Sequence, residues 1–456
     1  MRIVFFFCVA TLLWSFWKAV VRLRGRHAAL TPILGWIVGL GFFNLAPLTV
    51  MVCNGGYEFP SFYNPSNSWS KVDLSDVKYF IPFLVIWMSL LFSFLAIILL
   101  TPAIDEKRIR SEISFNESKL RRIVFITGCI TLLDYVVTIW MAGGLQDFFA
   151  SHWYERGEEF VARLGDLWTV YQWLSMGNLT VFTAGAALYT HAEVRRRRVD
   201  WRLSALILSI LLLHVAMMGD RIFLALYLLS FLCSCWIYRR KKLMVALLLI
   251  APVLALVFSA WGYFRNDLPN IGENIPTYME GDLGNRAVTS LMDAFDGPGT
   301  MLLFHVINDF GDKYEYMYGA SYARALFFMI PRHLFPQKPP TFANQMAIIY
   351  APGETTSFDA TELGELYANF GALSMLLLPF VTVLILHFSE KFTQEIEKHV
   401  LLSGMLFLVA IWFARTTFAD NLLTLLFGWL LVRGLQLERG LCFPSRFRLA
   451  SQFVSR

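Results

Sequence analysis

The sequence predicts an all-α, polytopic integral membrane protein. Three observations carry that prediction. Hydrophobic residues make up 57% of the 456-residue chain and charged residues only 16%, against roughly 25% charge in soluble domains. Apolar runs of about 20 residues, enough for a helix to cross a bilayer, recur from end to end. The linkers between them alternate between strongly basic and nearly free of basic charge. Backbone amides in hydrocarbon must bond within their own segment, so such runs are helices.

Eleven runs fit a spanning helix: Ile3–Val20, Ile33–Cys53, Phe80–Thr101, Ile123–Met141, Leu167–Tyr189, Leu203–Met218, Ile222–Tyr238, Leu243–Tyr263, Ala372–Glu390, Val400–Thr416 and Asn421–Val432. Lys18 with Arg22, Arg24 and Arg26 fills the first linker. Lys107 to Arg122, Arg195 to Arg198 with Arg202, Arg239 to Lys242, Lys391 with Lys398, and the tail from Arg433 hold most of the remaining Lys and Arg. Basic loops stay cytoplasmic, and with an odd number of spans the N-terminus lies outside and the C-terminus in the cytoplasm. Ile3 to Trp17 after Arg2 has the outline of a signal peptide. No small-residue cleavage pattern follows it, so a retained first helix fits better. No internal repeat or low-complexity linker divides the chain, which reads as one polytopic domain over 1–456.

The net charge of +5 comes mostly from these anchors and points to no nucleic-acid partner. Of six cysteines only Cys53 falls near the outer face, so no disulfide framework is expected. The sequence has no phosphate loop of Walker type, no HExxH helix and no zinc spacing. Neither a metal nor another cofactor is therefore expected.

Three outer segments remain. The first, 142–166, holds His152, Glu155, Arg156, Glu158, Glu159 and Arg163; the second is the turn Gly219-Asp220-Arg221. The third, 264–371, is a single large outer loop, far beyond the roughly 15 residues at which a loop is usually functional or disordered. Its aromatic and aliphatic content argues for order, with helical stretches expected at Ala287–Phe295 and Tyr322–Ile330 before Pro331, Pro336, Pro339 and Pro340 break the pattern.

Arginines are expected to be few on the outer side, yet Arg221, Arg265, Arg286, Arg324, Arg332 and Arg415 fall there. A guanidinium pairs bidentately with phosphate oxygens, so the set suits a lipid diphosphate head group. Snorkelling or pairing with nearby acids is the plainer reading of any one of them. Asp359, Glu362 and Glu365 precede the ninth run, and Glu362 and Glu365, three apart, share a helix face. One of them is a candidate general base; the plainer reading is a helix N-terminus capped by Thr361. His305 is a second candidate base. Asp134 and His214, at membrane depth, are either functional or braced by polar neighbours. Trp17, Trp140, Trp168, Trp261 and Tyr263 read as interface anchors. Trp153, Tyr154, Tyr314, Tyr316 and Tyr318 are of the type that stacks on sugar rings.

Met218-Gly219-Asp220-Arg221 has the form of a Gly-x-Arg turn between apolar helices. Ile330-Pro331-Arg332-His333-Leu334-Phe335-Pro336-Gln337-Lys338-Pro339 fits an Ile-Pro-x-x-apolar-aromatic-Pro-x-basic-Pro pattern, and Glu362 to Gly371 leads into the next helix. In these stretches the chain resembles the Wzy-type polysaccharide polymerases, which include O-antigen polymerases and the enterobacterial common antigen polymerase. The motif matches lie in the second half; topology agrees along most of the chain. The resemblance implies a GT-C-like glycosyltransferase in the bacterial inner membrane, joining undecaprenyl-pyrophosphate-linked oligosaccharide repeat units at the periplasmic face, with membrane lipid around it and a chain-length regulator as a candidate partner. It implies that Arg221, Arg265, Arg332, Arg415 and Lys338 hold the diphosphate. Glu362, Glu365 or His305 would then deprotonate the acceptor, and Arg156, Arg163, Arg324 and Asp359 would contact substrate. The alternatives are a lipid-linked glycan ligase of the O-antigen ligase type, with the same donor, and a polysaccharide flippase or other transporter.

Overall fold

The computed structural model describes residues 1–26, 30–58, 71–101, 116–150, 166–197, 199–218, 221–250, 253, 288–292, 295, 297–327, 335, 337–350, 359–394 and 399–441. In chain order its helices are α1 (Arg2–Arg26), α2 (Pro32–Leu40), a π-helical turn (Gly41–Leu45), α3 (Ala46–Asn54), α4 (Phe80–Leu100), α5 (Glu117–Met141), α6 (Leu145–Ala150), α7 (Asp166–Arg196), α8 (Trp201–Met218) and α9 (Ile222–Ile237). There follow α10 (Gly297–Asp309), α11 (Ala320–Ala323), α12 (Phe342–Tyr350), α13 (Thr361–Phe370), α14 (Ser374–Gln394), α15 (Val400–Phe413) and α16 (Phe418–Gly434). Strands β1 (Gly56–Glu58) and β2 (Lys71–Asp73) form a small antiparallel pair with Tyr57 opposite Val72.

Five helical stretches are long and apolar enough to cross a membrane: Arg2–Leu23, Pro32–Asn54, Val77–Leu100, Glu117–Met141 and Thr361–Glu390. Trp201–Met217, Ile222–Ile237, Val400–Phe413 and Asn421–Gly434 are shorter apolar helices. The protein is thus an all-α, multi-pass membrane protein, and each of these helices covers an expected run. The run expected at Leu243–Tyr263 is described as helix only at 241–250 and 253.

One helix, α7, is less apolar than the candidate spans yet sits at the centre. Every residue of α7 from Gly177 to Val194 is buried, with α5, α9, α15 and α16 packed around it. Protein surrounds it, so its polar side chains find protein partners. Asn178 Nδ2 donates to Thr127 O (3.2 Å) and Thr131 Oγ1 (3.0 Å) on α5, and His191 Nδ1 pairs with Ser234 Oγ on α9 (2.9 Å). Close backbone approach elsewhere depends on glycine. A Cβ on Gly35 or Gly39 of α2 would collide with the carbonyls of Phe407 and Ile411 on α15, and one on Gly177 would lie 2.8 Å from Gly428 N on α16. Small residues four apart are how membrane helices approach without a hydrophobic drive. The N-terminus of α2 has no side-chain cap of its own; Ser389 Oγ on α14 accepts from Ile33 N (2.9 Å) and Trp36 Nε1 donates to Thr382 Oγ1 (2.8 Å).

The helix ends sort into two groups. At one end Arg22 donates to Thr101 O (3.3 Å), Ser403 to Leu30 O (3.4 Å), Leu402 N to Glu438 (3.3 Å) and Asn116 N to Leu441 O (2.7 Å). There too Arg196 pairs with Glu117 (2.6 Å) and Arg121 with Asp200 (2.8 Å). The described basic linkers therefore share one end. The opposite end gathers Arg2 against Gly55, the β-pair, and α10 to α13.

The large outer segment is helical where described, with shifted boundaries. The stretch expected at Ala287–Phe295 is helical at 288–292, and the longer helix there is α10. The one expected at Tyr322–Ile330 starts earlier, as α11 running into a 3-10 turn at Arg324–Leu326. Gly319, with φ +87°, starts α11.

Candidate functional site

The sequence-predicted carboxylates lie on α13, where Glu362, Glu365 and Asn369 project from one face at helical spacing. All three are buried, with Glu362 1% and Glu365 0% exposed. Tyr322 on α11 donates its hydroxyl to Glu362 Oε1 (3.0 Å). Its ring stacks on Phe370 (6.0 Å between centroids) and tilts against Phe418 (5.7 Å). Burial first, then the Glu362 and Glu365 carboxylates, push the Tyr322 hydroxyl well above the ordinary phenol range, so it stays a proton donor. Asn369 fixes this arrangement, accepting from Gly319 N (2.8 Å) and donating to Ser321 Oγ (2.8 Å).

Glu365 reaches the turn between α15 and α16, where its Oε2 accepts from Phe418 N (2.9 Å). That turn carries Arg415, half-buried. The π-helical turn approaches it from the other side: Asn44 donates to Ala414 O (3.2 Å), and the neighbouring carbonyl of Phe43 accepts from Thr300 Oγ1 on α10 (3.0 Å). Asn421 closes the turn through Thr416 Oγ1 (2.7 Å) and Thr417 O (2.8 Å). Arg221 precedes α9; Phe223 one step into that helix meets Trp412 of α15 (5.4 Å between rings), which sets the Arg221 end beside the same turn.

Several polar atoms around this turn have no partner among the described residues. Glu362 Oε2, Thr361 Oγ1, Asn44 Oδ1, Asn421 Oδ1 and Trp412 Nε1 are all buried without a hydrogen bond. Each such atom costs about 1–3 kcal/mol. Thr361 adds backbone strain. The N-cap of α13 is Ala360, not Thr361, which is the first helical residue at φ +61° with its hydroxyl orphaned. The capping expected of Thr361 is therefore absent: a hydroxyl already inside the first turn is past the position from which it reaches the free N–H groups. A β-branched residue at positive φ costs of order 1–3 kcal/mol, and such residues cluster at working sites. Glu362 does stand in the first turn, where the helix dipole favours an acid.

Lys338 and Arg324 lie together nearby. Lys338 is buried at 9% exposure, and Arg324 Nη1 donates to Pro339 O (2.7 Å). Asp359 is half-buried just ahead of α13. His305 stands apart. Leu303 of α10 faces Gly364 of α13 (3.5 Å from a Cβ placed there), and His305, two residues on, points the other way. Its Nε2 donates to Lys71 O (3.2 Å), and its ring lies between Tyr79 (5.7 Å) and Tyr350 (6.4 Å). Burial holds its pKa below the usual imidazole range, so it is neutral near pH 7. Arg156, Arg163, Arg265 and Arg332 lie outside the described residues.

Among the outer aromatics, Tyr318 is 79% exposed, whereas Tyr316 packs on Gly311, Gly371 and the Tyr367 ring (6.3 Å) and is a structural filler. Sequence reasoning missed Tyr322, Asn44, Asn369 and Asn421. For Asn44 a signal existed, an amide inside a long apolar run; for Tyr322, one tyrosine among many, there was none. Among the described residues no group of three His, Cys, Asp or Glu could hold a metal. No family model, no curated protein and no solved structure matches this chain.

Proposed function

We propose that this protein is a membrane glycosyltransferase of the Wzy type, polymerising undecaprenyl-pyrophosphate-linked oligosaccharide repeat units at the periplasmic face of the bacterial inner membrane. The N-terminus is periplasmic and the C-terminus cytoplasmic in this reading. The eleven-span topology and GT-C-like architecture belong to the same proposal. The observation that carries it is Glu362: a buried carboxylate with one oxygen held by Tyr322 and the other unpartnered, beside the turn that bears Arg415. Its unpartnered oxygen is the position from which an ionised Glu362 would take a proton from a sugar hydroxyl.

In the reaction, the acceptor hydroxyl oxygen attacks the anomeric carbon of the donor chain and the bond from that carbon to the diphosphate oxygen breaks. The hydroxyl proton passes to Glu362. The electron pair leaves on the diphosphate, whose growing charge Arg415, Arg221, Lys338, Arg265 and Arg332 stabilise. Glu365, whose Oε2 is occupied by Phe418 N, fixes the turn and so positions Arg415. His305 has a different environment and braces the β-pair. The unpartnered Asn44 and Asn421 carbonyl oxygens are acceptors, a complement to sugar hydroxyls rather than to an anion. Arg324, with Arg156, Arg163 and Asp359, is assigned to the saccharide.

The test is a chain-length profile in the native host. Deleting a polymerase leaves single repeat units capped on the acceptor; deleting a ligase leaves none; deleting a flippase leaves repeat units on the cytoplasmic side. Complementation with Arg415→Ala or Arg221→Ala, at equal membrane levels, is expected to reproduce the single-unit profile. A deletion that abolishes capping altogether would assign the ligase reading instead.

A further inference from the structure

We infer that the basic end of the molecule holds a separate binding site for one phosphate-bearing anionic lipid head group, between the C-terminal ends of α7 and α9. A cavity of about 140 Å³ lies there, lined by Val194, Arg197, Val199, Arg240 and Leu243. Its walls are apolar and its rim is cationic. The two helix ends that form it are locked together: Arg240 donates from Nε to Val194 O (3.0 Å) and from Nη2 to Arg195 O (3.1 Å). Both ends turn through left-handed residues, Arg197 at φ +61° and Arg239 at φ +54°. Holding two non-glycine residues in that region costs free energy, and the result sets Arg197 on the cavity wall.

The neighbouring acids are already engaged. Glu117 pairs with Arg196, Asp200 with Arg121, and Glu193 accepts from the Tyr189 hydroxyl (2.5 Å) and from Asp200 N (2.7 Å). The side chains of Arg197, Lys241 and Lys242 are exposed and make no hydrogen bond or ion pair among the described residues. The cavity thus has a surplus of positive charge that no acid among the described residues is left to meet. An anion carrying phosphate oxygens meets that surplus with charge-assisted bonds. A lipid, rather than free phosphate, is the source the surroundings favour. The helix leaving the cavity exposes Val245, Leu248, Leu249 and Ile250 (51–72%), and Trp201 beside Val199 is 62% exposed. Those side chains mark a lipid-facing border with an interfacial aromatic, where basic pockets between helices take anionic head groups.

Native mass spectrometry of the full-length protein, extracted with an equimolar mixture of phosphatidylglycerol and phosphatidylcholine of matched chains, tests this. One phosphatidylglycerol is expected to be retained in preference to phosphatidylcholine. Arg197→Ala is expected to lower that retention about fivefold, the contribution of one basic residue near a membrane surface, and Arg197→Glu to lower it further. Because Arg197 is exposed and unpaired, these variants keep the fold; Leu243→Glu, which puts a carboxylate in the wall, is a second and independent disruption. Equal retention of the two lipids, or retention unchanged in the Arg197 variants, would overturn the site. Displacement of the retained lipid by millimolar inorganic phosphate would overturn the lipid assignment.

Discussion

Asp134 and Glu362 are both acids carried by helices of an apolar protein, and the hydrogen-bond partners of their oxygens differ. Asp134, inside α5, is saturated: the Tyr171 hydroxyl donates to one oxygen and Ser175 Oγ to the other (2.5 Å), both from α7. Glu362, on α13, has a single donor, Tyr322, and its second oxygen is buried without one. A carboxylate whose oxygens are all engaged ties two helices together. One with an oxygen to spare, in a place where an orphan costs free energy, is poised for a partner that comes and goes. On the reading proposed above, partnering is what separates the brace from the site.

Replacements at the two positions should therefore fail in opposite ways. The largest effect is expected for Glu362→Gln, which keeps shape and removes the base: polymer synthesis in membranes should fall by about 10²–10⁴-fold with thermal stability unchanged. Second is Asp134→Ala, which removes the charged acceptor of the Tyr171 and Ser175 hydroxyls. It should cost about 1.5–3 kcal/mol of stability, seen as a lower melting temperature in detergent, while the chain-length profile stays that of the unaltered protein. If Asp134→Ala abolished polymer without loss of stability, the contrast would collapse.

Tyr322→Phe sharpens the comparison by freeing both oxygens of Glu362. It removes a donor whose partner is an acid, and a roughly tenfold loss of polymer is expected, a difference of about 1.4 kcal/mol. The smallest effect belongs to His305. Burial lowers its pKa from the usual 6.5, so the unfolded chain binds more protons than the folded one just below that value. The stability it confers is complete above about pH 6.5 and is lost as the pH falls through the folded value. His305→Phe should flatten that acid-side decline in melting temperature and leave chain length alone near pH 7. A loss of polymer at pH 7 would restore His305 as a base.

Much of the frame was legible in the residues. Apolar runs and basic linkers anticipated the helices and the end at which the described basic clusters gather, because bilayer thickness and the positive-inside bias act on composition alone. Glu362 and Glu365 were legible as one face of a helix because their spacing is local. The partners were not. Tyr322 meets Glu362 across 40 positions, and Asn44 meets Ala414 across 370; neither pairing leaves a local trace. The left-handed Thr361 was hidden for another reason. By residue type it is a favoured cap, and only the fold sets it one position too far along.

α7 was legible as the run Leu167–Tyr189, but its enclosure was not. Its threonines, asparagine, histidine and glutamate depress its apolar character, yet every residue from Gly177 to Val194 is buried. Hydropathy registers contact with lipid, and the Gly177–Val194 stretch of α7 is surrounded by protein instead.

The central claim is that this chain joins glycans carried on a lipid diphosphate, using an acid with a free oxygen and no soluble sugar nucleotide. The most direct measurement supplies purified full-length protein with a single lipid-diphosphate-linked repeat unit in vesicles and follows both glycan length and carrier. A ladder of lengthening chains, with one undecaprenyl diphosphate released per bond formed, is the predicted result. Intact repeat units moved across the bilayer with no carrier released would contradict it.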